Sequence, residues 1–441
     1  MTTETTHFDV IVVGGRVAGS TLAARLGQAG LTVLLLERDD LPSLPAASSP
    51  AIYAATMAML DEIGADEAEY AANTPKIRRW VTALMDLDPV QMDMPSTFGR
   101  DYAYAIDRSR FDGALWKTAV RTPGVTGLQH FAVSDLLWDG ERVTGVVGKR
   151  RGEREERRFT ADLVVGADGR FSLVARKVNA EVKHQHDDLP TTCFYGYWKN
   201  PRPVDANGPA FHIHATGEGY GILMMDSADD TLAVVVEGRA AVLDPAPGQA
   251  ESFYRNLLNK HAVVRRRLEG AELVGTVRGM KKIGNLYRAA GGPGWALVGD
   301  AVHQKDPLDG QGIYDAVFTA RELAQAILRW RQHGVGWEAA VQGYEDAVYA
   351  VTFPMYQATM TRVKTDVYTD IPKWAYRHIV RHILHDEDYC AMTANLVTRM
   401  IEPTAYLSPW PKARAVMRGV WRDLTGQRAK PSAEPVAVSG D

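Results

Sequence analysis

Cysteine is nearly absent. The 441 residues hold two, Cys193 and Cys390. Two thiols build no disulfide framework, and they form no C-x-x-C pair. A disulfide-stapled scaffold is excluded, and a reducing cytoplasm is the expected setting. Long apolar runs are missing too. Residues 10–36 are the richest stretch, but glycines, Arg16 and Arg25 interrupt them. A membrane span needs roughly 20 predominantly apolar residues. Strong net charge is lacking: the formal value is −4. That supplies no general attraction for nucleic acid or an anionic membrane, so neither is expected as a stable partner. The opening MTTETTHFD carries acids where a secretory signal needs a basic region. Internal repeats and coiled-coil heptads are absent. What remains is an ordinary globular composition, 46 % apolar and 24 % charged, long enough for two or three domains. An oligomer is compatible with it.

One more absence lies inside a motif. Residues 10–39 read VIVVGGRVAGSTLAARLGQAGLTVLLLERD. A buried strand (8–13), a glycine turn, a helix ended by Gly30 and a second strand (32–36) follow one another. This is the opening of a right-handed βαβ unit that binds a dinucleotide. Gly14 and Gly19 stand for the first and third glycines of G-x-G-x-x-G, but Arg16 replaces the middle one. Its backbone N–H remains available to a phosphate. Gly15 and Ala18 complete the loop. Glu37 ends the second strand, where a carboxylate accepts hydrogen bonds from a ribose diol, and Arg38 follows it.

Similar buried strands return at 162–169 and 295–301. Between 103 and 161 the pattern predicts a helix over about 108–121 and a hairpin whose tip is the charge run 149–158. Residues 190–240 change character: TTCFYGYWKN, AFHIHA, GYGILMMD and TLAVVVEG are short and β-rich, as in an inserted antiparallel sheet. From 310 to 427 the pattern is helical, with Pro354, Pro372, Pro403, Pro409 and Pro411 as punctuation. The expected fold is mixed α/β. A Rossmann-like domain (1–75, 100–185 and 280–350) carries an inserted β-sheet substrate domain (76–99 and 186–279). A helical region (351–427) and a disordered tail (428–441) follow.

Two later segments sharpen the reading: GADGRFSLVAR (166–176) and GDAVHQKDPLDGQGIYDAVFTARELA (299–324). With the first loop, they make the chain resemble the FAD-dependent monooxygenase superfamily of p-hydroxybenzoate hydroxylase type. Its relatives include flavin-dependent halogenases and geranylgeranyl reductases. The resemblance spans about residues 8–345. It implies FAD as cofactor and NAD(P)H as a transient electron donor. Asp300 resembles the aspartate that binds the ribityl chain. Pro307 resembles the proline beside the isoalloxazine, and Gly310, Gln311 and Gly312 open a helix whose N–H groups stabilise a reduced flavin. Asp168 and Gly169 resemble a motif linked to both FAD and NAD(P)H; Asp168 also reads as a strand-end turn residue. Arg108 resembles the arginine that contacts the pyrophosphate, with Arg110 as the neighbouring alternative.

The implied reaction is oxygen transfer from a flavin C4a-hydroperoxide to an aromatic or polycyclic small molecule, with O2 as co-substrate. Two alternatives stay open: a reductase or halogenase-related enzyme, and a flavoprotein without turnover. No W-x-W-x-I-P stretch of the halogenase sort is present. The substrate pocket is expected between the flavin and the inserted sheet. His212 and His214 share one strand face and Tyr195 lies on a neighbouring strand; these three are the catalytic candidates. At least one histidine is expected to face the cleft. His378, His382 and His385 follow helical spacing, but with no fourth ligand fixed nearby no metal site is expected.

Overall fold

The computed structural model describes residues 7–45, 48–85 and 87–426. The expectation of a disordered tail lies outside these residues. Four parallel strands form the centre of the first sheet. Trp295–Leu297, Arg157–Gly166, His7–Val13 and Val33–Leu36 lie side by side, and Val125–Leu128 joins beyond Leu36. Val10, Val12, Leu34, Leu35 and Val164 are almost wholly buried, as apolar runs covered on both faces should be. Helices Val17–Gln28 and Gly312–Gln332 pack against each other beside this sheet. Gly14, Glu37, Ala167 and Val298 lie just past the ends of neighbouring parallel strands. Ligands of open α/β sheets bind outside such carboxyl ends.

The second sheet has nine strands among the described residues. Its main path runs Glu272–Met280, Thr191–Lys199, Thr231–Arg239, Tyr220–Ser227, Phe211–Ala215, Arg79–Leu84, Val90–Asp93. Two features differ from the sequence expectation. Phe211–Ala215 pairs in parallel with Arg79–Leu84, because the latter arrives from outside the meander rather than through a hairpin. Short strands Ala51–Ile52 and Tyr104–Ala105 also join this sheet.

Side-chain alternation gives the sheet two faces. One carries Cys193, Tyr195, Phe211, Met225, Ala233 and Val235. The other carries Phe194, Trp198, Ile222, Met224, Val234 and Val236, packed against Tyr254, Leu257 and Leu258 of helix Ala250–Asn259.

The C-terminal part is helical: Trp337–Arg362, Lys373–Leu384, Glu387–Val397 and Trp410–Thr425. Pro372, Pro403, Pro409 and Pro411 stand at element starts, where proline's missing N–H costs no hydrogen bond. Pro354 does not punctuate; it lies inside helix Trp337–Arg362. Buried neighbours Thr352, Met355 and Tyr356 hold that stretch of helix in place.

Candidate functional site

A cleft of about 530 Å³ opens at the carboxyl ends of the parallel strands and runs beneath the second sheet. Its first part is polar. Gly14 adopts φ +107°, and a Cβ there would lie 2.4 Å from the Ala167 carbonyl oxygen. A Cβ on Gly19 would lie 1.8 Å from the Gly14 oxygen. Both glycines therefore allow helix Val17–Gln28 to start hard against the strand ends. Among the described residues nothing caps that helix: Arg16 makes no capping bond and no acid lies in its first turn. Its free N–H groups attract an anion. Glu37 ties the loop down, accepting from the Gly15 N–H at 2.8 Å and the Asp39 N–H at 2.9 Å.

Two cations flank the helix start. Arg16 donates to Asp112 at 2.8 Å, and Arg108 donates to the same carboxylate at 2.9 Å. Asp112 is fully buried. One carboxylate thus positions two guanidiniums, and the trio keeps a net positive charge. Arg108 Nε is buried without a partner among the described residues.

The middle of the cleft is built by residues 166–171 and 299–316. Asp168 Oδ2 accepts the N–H of Leu173 at 2.7 Å and of Val174 at 3.2 Å. Its Oδ1 is buried and unpartnered among the described residues. Burial pushes this carboxyl above the usual range, against the pull of its hydrogen bonds. Asp300 faces Arg170 at 3.3 Å. Helix Gly312–Gln332 also starts without a side-chain cap. A Cβ on Gly312 would meet nothing within 4 Å among the described residues.

Below that helix start lies a buried charge cluster. Lys305 pairs with Asp315, whose carboxylate also stands 3.3 Å from His303 and 3.2 Å from Arg399. Burial would raise the Asp315 carboxyl, but Lys305, His303 and Arg399 hold it well below its ordinary value. Burial pulls the Lys305 ammonium down to about 8.

The last part of the cleft is apolar. Cys193, Tyr195, Met280 and Ile283 line it, next to Pro307 and Asp306. Thr191 donates to Asp306. Glu237, opposite Cys193 in the sheet, is pushed well above the carboxylate range by burial and by Asp306. Burial, and next Glu237, lift the Cys193 thiol to about 12.

The model of the FAD binding domain family matches residues 7–348, more than three quarters of the chain. The chain belongs to this FAD-binding family. It is a flavin-dependent enzyme, an oxidoreductase by family. Among curated relatives it is similar to tryptophan 2-halogenase of Chondromyces crocatus, 26 % identical over 333 residues. The match takes in 72 % of this chain but only 60 % of the halogenase. It is also similar to digeranylgeranylglycerophospholipid reductase of Methanosphaerula palustris, 23 % identical over 347 residues, covering 77 % and 81 % of the two chains. Among solved structures, the flavin-dependent brominase Bmp2 superposes with TM-score 0.75 at 19 % identity, over 96 % of this chain and all of that one. That likeness is one of fold.

The residues present fit FAD. The buried, unpartnered Arg108 Nε and Asp168 Oδ1, two uncapped helix starts and the open face of Gly312 are the donor and acceptor set a dinucleotide flavin requires. Of the cofactor candidates, Gly14, Arg16, Ala18, Glu37, Arg38, Arg108, Asp168, Gly169, Asp300, Pro307, Gly310 and Gly312 line the cleft, as does Tyr195. Gly15 and Gly19 stand behind it. Gln311 turns away: it donates to the Val397 carbonyl at 2.9 Å and accepts from Arg399 at 2.9 Å. Arg110, the alternative to Arg108, bonds Asp229 at 2.6 Å instead.

The expected place of the two histidines is corrected. His212 pairs with Met224 and His214 with Ile222, so both imidazoles lie on the sheet face away from the cleft. His214 stacks edge-on with His261. Both are buried, 1 % and 2 % exposed. Burial, with Arg267 near one and His261 near the other, pulls them down to about 3 and about 4. Ile213, on the opposite face, is 37 % exposed. The helical histidines divide as well. His378 and His382 stand 3.3 Å apart with Asp423 beside them, while His385 bonds the Arg381 carbonyl. Sequence reading missed Arg170, Lys305, Asp306, Asp315 and Glu237. Only the run HQKDP, with charges inside the late glycine-rich motif, signalled two of them, Lys305 and Asp306.

Proposed function

We propose that the protein is an NAD(P)H-using, FAD-dependent monooxygenase acting on an aromatic or polycyclic small molecule. The observation that carries this reading is the two-part character of the cleft. A cationic, uncapped entrance suits the flavin's pyrophosphate. An apolar wall of Tyr195, Met280 and Ile283 beside Pro307 suits a flat apolar substrate. FAD, when bound, supplies the redox chemistry.

The chain's own groups then have distinct tasks. Arg16 and Arg108 balance phosphate charge, and Asp300 and Asp168 offer acceptors for hydroxyl groups. The N–H groups at the Gly312 helix start would favour negative charge on a bound flavin. The apolar wall excludes water and orients the substrate. Glu237, its carboxyl pushed up by burial and by Asp306, would favour its protonated form behind the apolar wall.

A second reading is a reductase of an apolar substrate. The same buried Glu237 favours it, since reducing a carbon–carbon double bond consumes a proton along with a hydride. The test is a screen of aromatic, polycyclic and isoprenoid compounds for stimulated NAD(P)H oxidation, run with an oxygen electrode. The monooxygenase reading expects oxygen uptake matched to an oxygenated product. Turnover to a saturated product without oxygen establishes the reductase. No stimulation by any compound class, with FAD bound, contradicts both.

A further inference from the structure

Helices Lys373–Leu384 and Trp410–Thr425 pack on each other. The His382 ring seats against Gly419, where a Cβ would lie 2.3 Å from Nδ1, and Arg381 pairs with Asp423. Their outer surface is unusually apolar. Trp374 is 75 % exposed, Trp410 56 %, Met417 52 %, Trp421 66 % and Leu424 78 %. At about 100° per residue, the last four share one stripe. It lies opposite the buried Ala415 and Gly419. Trp374 precedes His378 by one turn, and His378 approaches Asp423. Asp423 lies roughly 100° or more around its helix from Trp421 and Leu424, so Trp374 stands outside the stripe. Contiguous apolar patches of this kind mark an interaction surface.

The charge around the patch decides between occupants. The two helices carry seven lysines and arginines against one acid, Asp423, in a chain whose formal charge is −4. Asp366, Asp386 and Asp388 from neighbouring segments pair with Lys412 and Arg418, and Glu218 pairs with Lys373. Seven bases against these five acids leave a small positive excess, and Arg414 is exposed beside the stripe. A two-fold dimer through this face would set like charge against like. Tryptophan and leucine flanked by bases is the pattern of a helix lying in an anionic lipid interface. No helix among the described residues is long and apolar enough to cross a membrane.

We propose that this face docks the enzyme in the plane of an anionic lipid surface. The inference goes beyond the proposed reaction, which needs no membrane. It also revises the expectation from net charge, which averages over a surface that is locally cationic.

The experiment is co-sedimentation of the full, FAD-loaded chain with phosphatidylcholine vesicles, with and without about one-third phosphatidylglycerol. Light scattering measures the protein's mass in parallel. Binding is expected to the anionic vesicles at low salt, weakened by salt, with tryptophan emission shifted to the blue. The double variant Trp410→Ser/Trp421→Ser should bind roughly tenfold more weakly, and Arg414→Glu should also lose affinity. Both should keep the parent melting temperature and FAD content. Three results would overturn the proposal. One is protein that stays in the supernatant with anionic vesicles at low salt. Another is undiminished binding by the double variant. The third is a dimer that the double variant converts to monomer.

Discussion

His212 and His214 show most clearly how environment sets the behaviour of a residue. Alternation along a strand puts them on one face, but it does not say which face meets the cleft. Register and the helix packed behind settle that: Met224 and Ile222 lie opposite them, under Tyr254 and Leu257. Each native imidazole is neutral down to about 3 or about 4, whereas in the unfolded chain it titrates near 6.5. The unfolded state therefore gains protons first as pH falls. Stability from this pair is intact above pH 6.5 and drains as pH drops toward 4, on the order of 3 kcal/mol for each imidazole. Buried carboxyls with raised values, such as Glu237, act in the opposite sense. The test is therefore a difference. Urea melts of His212→Asn/His214→Asn should show a shallower loss between pH 6.5 and 4 than the parent. Equal slopes would remove the histidines from the acid response. Activity per bound FAD should survive this double variant, because neither ring reaches the cleft.

At the scale of elements, the glycine turns and the starts of two helices build the site. These were legible in the sequence because backbone geometry demands particular residues there. Gly14 and Gly19 permit contacts that no side chain would survive, and Asp168 and Asp300 stand at strand ends, where a parallel sheet binds its ligand. The grip of the C-terminal helices was not legible. Asp309 is held by Thr359 at 2.6 Å and by Arg362, and Gln311 and Asp315 are held by Arg399. Such pairs, 50 to 88 residues apart, leave no periodic trace. The Gln311 side chain thus faces the protein, while the expected role of this position belongs to its backbone N–H at the helix start. Two glycines separate fold from ligand. Gly19→Ala forces helix and loop apart and should cost about 3 kcal/mol of stability, read as a lowered melting temperature. Gly312→Val projects into the cleft, where nothing stands within 4 Å. It should leave the apo-protein melt unchanged while reducing FAD affinity. A destabilised Gly312→Val apo-protein would place that residue in the packing instead.

For the whole molecule, the nucleotide sheet and the inserted sheet enclose one cleft between a polar and an apolar wall. Residues 7–348 match an FAD-binding family, so this organisation accounts for most of the chain. If NAD(P)H is the donor, either nucleotide should bleach the bound flavin's visible band under anaerobic conditions, faster with a compound in the apolar part. A flavin that neither nucleotide reduces, across a broad ligand panel, would point to another donor. The account rests above all on the cleft holding FAD through the groups named above. Titration of the apo-protein with FAD, followed by flavin absorbance and fluorescence, tests this most directly. The prediction is saturation at one FAD per chain and much weaker binding of FMN. Asp300→Ala should lose roughly tenfold or more in affinity, from 1–3 kcal/mol for an acceptor removed from a buried partner. A chain that takes up no FAD, or an Asp300→Ala variant that binds it as tightly as the parent, would contradict the account.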